Sequence, residues 1–370
     1  MYRWCIRPLL FRCDPEWVHE RTLALGQSLG AFAVARKMLA RLYTFCDPRL
    51  RTTVAGLDFE NPVGLAAGFD KSGRAAAALA AMGFGAVEIG SVSAHASRGN
   101  SARPRLFRLP DDLSIVVYYG VPNDGAAAVA TRLHPLRLPV PLGVNLVETN
   151  TGRPTRVDET IAELVQAAAP FVGLADYLTL NLNCPNTTGG RSPFDEPAQL
   201  RALLAGYRDY ADLPPVFLKL QPTVDPAQID AVLETADPFC FVRGVIFSLP
   251  PGKPYSGLKT PATRLERMPG NLCGPPTRQL VDEAVRAWYA RLDPDRFALV
   301  GTGGIFSAAD AYRRIRLGAS LVQLYTALIY HGPGLAKKIN RGLCRLLERD
   351  GFKNISAAVG VDQNREIANA

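Results

Sequence analysis

Eight short apolar runs, rich in β-branched and aliphatic residues, recur along this chain of 370 residues. They are Pro62–Ala67, Ala86–Gly90, Val140–Leu146, Tyr177–Asn183, Val216–Gln221, Val245–Leu249, Phe297–Gly301 and Leu321–Thr326. Helically patterned segments lie between them, among them Ser72–Met82, Val157–Ala168, Pro197–Tyr210, Asp225–Ala236, Arg278–Arg291 and Ser307–Leu317. Continuous apolar strands that alternate with helices are parallel strands buried on both faces. Eight such units predict an α/β protein with a closed (β/α)8 TIM barrel. An open doubly wound sheet is the alternative that the pattern alone allows.

A barrel of this kind presents its active site at the C-terminal ends of its strands. Here those ends read Ala67-Gly68, Gly90-Ser91, Asn145, Asn181–Asn186, Lys219, Ser248, Gly301–Gly304 and Tyr325-Thr326. Any one of them alone reads as a turn. Together they form a rim suited to a ligand.

Residues 1–50 precede the barrel, which takes 51–370 including a C-terminal tail. Glu16–Leu29 and Phe32–Phe45 read as two amphipathic helices separated by Gly30. Before them, residues 1–12 mix Tyr2, Trp4, Ile6, Leu9, Leu10 and Phe11 with Arg3, Arg7 and Arg12. Such a segment suits a membrane interface, with apolar faces in the headgroup layer and arginines on anionic lipid. A helical cap packed on the barrel is the competing expectation. No run of about 18 apolar residues predicts a membrane span. The expected location is therefore peripheral, on the cytoplasmic face of a membrane.

The formal net charge of +8 comes from scattered residues with no basic stripe, so nucleic acid is not an expected partner. Cys5, Cys13, Cys46, Cys184, Cys240, Cys273 and Cys344 show no CxxC pair, and there are only four histidines. A reduced compartment is expected, and neither a disulfide framework nor a metal site.

Three constellations carry chemistry. Gly301-Thr302-Gly303-Gly304-Ile305 follows the seventh run, and Tyr325-Thr326 follows the eighth. In barrels these two loops commonly bind phosphate through backbone N–H groups and a helix N-terminus. With no metal site and no dinucleotide fingerprint, flavin mononucleotide (FMN) is the phosphate carrier that fits. Lys219 sits inside the apolar run Val216–Gln221, where an ammonium needs a partner. Beside a flavin it would stabilise the negative end that develops on reduction. Asn181-Leu182-Asn183-Cys184-Pro185-Asn186-Thr187 supplies amides for a planar polar ring and a thiol that accepts a proton when ionised. A cysteine hydrolase would want a histidine base at a strand end, and none is well placed.

Longer motifs carry a resemblance. They are Asp14-Pro15-Glu16 with His19-Glu20, residues 61–71 (NPVGLAAGFDK), residues 84–92 (FGAVEIGSV), residues 103–109 (RPRLFRL), and residues 321–326 (LVQLYT) with His331-Gly332-Pro333. Along essentially its whole length the chain resembles the dihydroorotate dehydrogenases, in their class 2, quinone-dependent, membrane-associated type. That resemblance implies FMN contacts at Ala67, Gly68, Ser91, Asn145, Asn181, Lys219, Ser248, Gly274, Gly303, Gly304, Tyr325 and Thr326. It implies substrate contacts at Lys71, Asn181 and Asn186, a base at Cys184, and Thr187 assisting proton exit. A quinone is the implied electron acceptor.

Four segments depart from the family pattern. The base position holds cysteine, as in class 1, where class 2 members usually carry serine. Val117 and Leu249 stand where the family has substrate-binding asparagines, and Val121 stands for a phenylalanine near the base. Val147-Glu148-Thr149 replaces Gly-Lys-Asn, removing a cation and adding an acid. Each lost pairing to a buried polar substrate costs about 1–3 kcal/mol, and such sites discriminate strongly through these groups. The sequence therefore predicts an FMN-dependent dehydrogenase of this family acting on a CH–CH bond of a small cyclic or planar substrate, altered from dihydroorotate. Two alternatives stand beside it. One is authentic quinone-linked dihydroorotate oxidation in pyrimidine biosynthesis, with Tyr118, Tyr119 or backbone groups replacing the lost amides. The other is a non-catalytic, membrane-associated FMN-binding protein.

Overall fold

A computed structural model describes residues 2–183, 192–250, 252–253 and 257–363. Eight parallel strands close a barrel in chain order: Val63–Leu65, Ala86–Val92, Leu142–Leu146, Tyr177–Asn181, Val216–Leu220, Val242–Phe247, Ala298–Thr302 and Leu321–Leu324. The ring closes where the last strand pairs with the first, Val322 beside Val63 and Leu324 beside Leu65. The predicted strands are all present. The second starts as predicted and extends to Val92, and the sixth starts earlier, at Val242.

Helices cover the outside. Val157–Ala168 matches its predicted bounds. Asp225 caps the helix Pro226–Ala236, its carboxylate accepting from Ala227 N–H at 3.0 Å. The predicted Ser72–Met82 helix shrinks to Ala76–Ala80. Asp70 spends its carboxylate on the N–H groups of Arg74 and Ala75, which holds residues 71–75 in a loop. That loop places Lys71 over the barrel mouth.

The strands are buried on both faces, which is why they read as unbroken apolar runs. At the N-terminal ends, Phe59, Tyr177, Phe217, Ile246 and Val300 pack into a floor. A short hairpin, Thr52–Val54 with Leu57–Phe59, seals it. Gly143 is needed there, because a Cβ would stand 2.2 Å from the Tyr177 ring. A second, antiparallel sheet of Leu106–Leu109, Ser114–Val117 and Asn271–Cys273 was not predicted. It brings Val117 and Cys273 to the barrel mouth.

At the N-terminus, helices Pro15–Ala31 and Ala33–Tyr43 bear out the predicted pair. The break falls at Phe32, in extended backbone, and not at Gly30. Gly30 is instead buried inside the first helix, where a Cβ would meet the Ala78 backbone N at 3.1 Å. Ion pairs fasten the extension to the barrel: Glu16 to Arg103 at 3.3 Å and to Arg105, and Glu20 to Arg74 at 3.0 Å. Arg108 also donates to the carbonyls of Leu10 and Cys13. Trp4, Leu9, Trp17, Leu25, Phe32, Val34, Met38 and Leu42 are left exposed. No helix among the described residues is long and apolar enough to cross a membrane. The C-terminal tail is docked as far as Gln363, which donates to the carbonyls of Arg286 and Leu317.

Candidate active site

Two adjoining cavities open at the C-terminal ends of the strands. The larger spans about 790 Å³, counting space open to solvent, and reaches the loops after the seventh and eighth strands. The smaller, about 640 Å³, reaches Lys71 and Asn181. Ala67, Val117, Lys219, Ser248, Leu249 and Tyr325 line both, so the two form one continuous site.

The larger cavity gathers Gly274, Gly303, Gly304 and Thr326 as well. Gly303 has φ +95° and Gly304 φ +71°, conformations that side-chain-bearing residues rarely adopt. A Cβ on Gly303 would meet nothing nearer than Thr277 Oγ1 at 3.6 Å. A Cβ on Gly304 would stand 2.8 Å from Arg278 Cα. The loop is thus bare backbone on its cavity side and tightly packed behind. Arg278 Nε donates to Gly304 O at 3.0 Å, and Arg314 Nη2 to Gly303 O at 3.3 Å. Arg314 is fully buried and paired with Asp282, and burial lowers its pKa. The loop has the form expected of a phosphate cradle.

The smaller cavity carries Gly68, Lys71, Ser91, Asn181 and Asn183. Lys71 Nζ donates to Gly68 O at 2.8 Å and lies over the Tyr119 ring. Burial pushes its pKa down to about 8, with Glu20 and Asp70 acting in the opposite sense. Ser91 Oγ donates to Asn145 Oδ1 at 2.5 Å, and Asn181 Nδ2 donates to Ser91 Oγ at 3.0 Å. Asn145 lines neither cavity; it stands behind Ser91 and holds it.

Among the described residues, several buried polar atoms here lack a partner: Asn181 Oδ1, Tyr119 Oη and Tyr325 Oη. Buried polar groups are seldom left unpaired. Orphans on the walls of a cavity, beside a bare glycine cradle and a buried lysine, fit a planar polar ring bearing a phosphate. FMN is such a group.

Cys184, Asn186 and Thr187 lie outside the described residues. Val117, Val121 and Leu249 do face the smaller cavity, so the apolar departures reach the site. Glu148 does not. Its carboxylate accepts from Thr160 Oγ1 at 3.0 Å, against the helix Val157–Ala168, so no acid is added to the cavity wall. Tyr119 reaches the smaller cavity, and Tyr118 does not.

Sequence reasoning missed Glu88, Gln323 and Thr277. Glu88 and Gln323 form the polar layer beneath the cavity, where Gln323 Nε2 donates to Glu88 at 2.7 Å. The signal was present: each is a lone polar residue inside an apolar strand, as Lys219 is. Lys219 Nζ stands 4.0 Å from Glu88 Oε1, the partner its burial requires. Among the described residues no group of three or more His, Cys, Asp or Glu is placed to hold a metal ion.

Comparison with known proteins agrees with this geometry. The family model described as dihydroorotate dehydrogenase matches residues 49–347. The chain is 40% identical to a dihydroorotate dehydrogenase (quinone) of Halobacterium salinarum over 361 residues, 96% of this chain and 99% of that one. It is 39% identical to a protein of that name from Mycobacterium tuberculosis, covering 98% of each. The solved dihydroorotate dehydrogenase of Eimeria tenella in complex with ferulenol superposes with a TM-score of 0.82 at 28% identity, covering 94% of this chain and 96% of that one. With its closed barrel, its helical extension and these relatives, the chain belongs to the dihydroorotate dehydrogenase family, in the class 2 type, and is an FMN-dependent dehydrogenase acting on a CH–CH bond.

Proposed function

We propose that the protein oxidises dihydroorotate and passes the electrons to a quinone, as the names of its relatives describe for them. The observation that carries this reading is Lys71 and Asn181 on one cavity wall, continuous with Lys219 and the Gly303-Gly304 cradle. When bound, FMN supplies the two-electron acceptor. Lys71 holds an anionic substrate group by charge, since its ammonium is already desolvated and steered by the Tyr119 ring. Cys184 is the base, its thiolate taking a proton from the substrate carbon onto Sγ, and Thr187 and Asn186 complete the loop. Lys219 places positive charge at the cavity wall, where negative charge accumulates on reduction. Gly303, Gly304 and Thr326 bind the phosphate, and Gly274, Ser248, Ala67 and Gly68 shape the ring's slot.

A second reading has its own observation. Val117 and Leu249 put apolar side chains on a wall where a ring with several carbonyl and N–H groups wants partners. A substrate with a less polar edge suits that wall better. Anaerobic mixing of the purified yellow protein with dihydroorotate separates the two readings. Rapid bleaching of the flavin supports the first, and a flavin that stays oxidised supports the second. A protein purified without flavin sinks both.

The helical extension supports contact with a membrane that holds the quinone. Its exposed apolar side chains alternate with Arg3, Arg7, Arg12, Arg21, Arg36, Lys37 and Arg41, a composition suited to the headgroup layer.

A further inference from the structure

Glu88 lies in the second strand with its side chain wholly buried. Four donors face it: Asn145 Nδ2 at 2.9 Å from Oε1, Gln323 Nε2 at 2.7 Å and the Tyr177 hydroxyl at 3.3 Å from Oε2, and Lys219 Nζ at 4.0 Å from Oε1. The first three donate hydrogen bonds to it and the ammonium stands at ion-pair distance, so Glu88 serves all its neighbours as an acceptor only, as a carboxylate does.

That fixes the direction of every hydrogen bond above it. An amide has one donating end and one accepting end, so Asn145 must turn its NH₂ down to Glu88 and its Oδ1 up. Ser91 must then donate to Asn145 Oδ1, which it does at 2.5 Å. With its proton committed, Ser91 Oγ can only accept, and Asn181 gives it Nδ2 at 3.0 Å. What remains at the end of the relay is Asn181 Oδ1, buried and without a partner among the described residues, on the wall of the smaller cavity. The second branch behaves alike: Gln323 turns its NH₂ to Glu88, and Thr302 Oγ1 donates to its Oε1 at 3.1 Å.

We propose that Glu88 is a positioning residue that sets the hydrogen-bond polarity of the ring pocket. It holds the Lys219 ammonium at the cavity wall and makes Asn181 present an acceptor, which receives a ring N–H of bound FMN. The proposal rests on the FMN site assigned above. It differs from a bland role, in which a buried acid merely balances Lys219, because it makes the direction of the relay decisive.

Glu88→Gln tests it in the full-length holoenzyme. The shape is kept, but an NH₂ now faces other donors, and the relay is no longer forced one way. Release of FMN, followed by the rise of free-flavin fluorescence, is expected to quicken at least about tenfold, the scale of a lost charge-assisted hydrogen bond. Combining Glu88→Gln with Gln323→Glu moves the carboxylate one side chain along. The amide now in the second strand can then donate to the carboxylate now in the eighth and accept from Asn145 again. Release from this double variant is expected to return to within about threefold of wild type. Wild-type release from Glu88→Gln, or a double variant as leaky as the single one, overturns the proposal. Should Glu88→Gln not accumulate as folded protein, Asn181→Leu removes only the end of the relay. It must also release FMN faster, and wild-type release from it is equally fatal. A wild-type protein that carries no FMN fails the site assignment itself, a different outcome from either.

Discussion

Lys71 Nζ stands 4.2 Å from the centroid of the Tyr119 ring, over its face. The ring and the surrounding loop strip the ammonium of water, which lowers its pKa to about 8. A lysine that binds an anion through its charge then loses that grip as pH rises through about 8. KM for an anionic substrate is expected to climb above that pH, approaching tenfold per unit where the lysine is neutral, with kcat less affected. Lys71→Arg keeps its charge over this range and is expected to flatten the rise. Steady-state kinetics from pH 7 to 9.5 decide it, and a KM that is level in the wild type removes Lys71 from substrate binding.

Val117 and Leu249 face the same cavity from the antiparallel sheet and from the loop after the sixth strand. If the polar edge of dihydroorotate lies against them, its groups go unpaired. Val117→Asn with Leu249→Asn is expected to speed flavin reduction by dihydroorotate at least tenfold in anaerobic stopped flow, equivalent to one regained hydrogen bond of about 1.4 kcal/mol. A double variant no faster than the wild type shows that this wall does not meet the substrate's polar edge.

The barrel was legible because its strands are buried on both faces, and burial writes itself as unbroken apolar runs. The cradle was legible because its glycines are demanded by backbone geometry next to a strand end. Val117 and Leu249 could be flagged only through resemblance, since an apolar residue in an apolar context carries no signal of its own. The antiparallel sheet escaped notice because Asn271–Cys273 pairs with Ser114–Val117 across more than 150 residues of chain, and three-residue strands have too little period to read. Glu88 was visible as an anomaly, but its meaning depends on Asn145, Lys219 and Gln323 converging from three other strands. No sequence window contains that.

His19 belongs to the first N-terminal helix, and its ring meets Phe69 edge-on with centroids 5.3 Å apart. Burial, then the nearby Lys71 charge, lowers its pKa to about 3. The unfolded histidine titrates near 6.5. Between those values the unfolded chain holds a proton that the folded chain lacks, so stability falls as pH drops through 6.5 towards 3. The loss is up to about 1.4 kcal/mol per pH unit. His19→Gln is expected to remove this part of the slope. Urea unfolding at pH 7.5 and pH 5 measures it, and parallel slopes in the two proteins mean that His19 takes up a proton in place.

The extension's exposed side chains give a prediction about surfaces. Phe32, Val34, Met38 and Leu42 are each more than half exposed, on or beside the second helix, with Arg36, Lys37 and Arg41 among them. Insertion of such side chains gains roughly 25 cal/mol per Å² of apolar area removed from water, and each basic residue near an anionic surface adds about 1 kcal/mol. Sedimentation with phosphatidylglycerol vesicles is expected to carry the protein down at low salt and to weaken as salt rises. Replacing Phe32 and Met38 together by Ser is expected to reduce binding at least tenfold while leaving the bound flavin untouched. Neither side chain lines either cavity. Equal sedimentation of the variant assigns the contact to other residues. Loss of binding together with a slower turnover on a long-chain quinone, but not on a short water-soluble one, ties the surface to delivery of the acceptor.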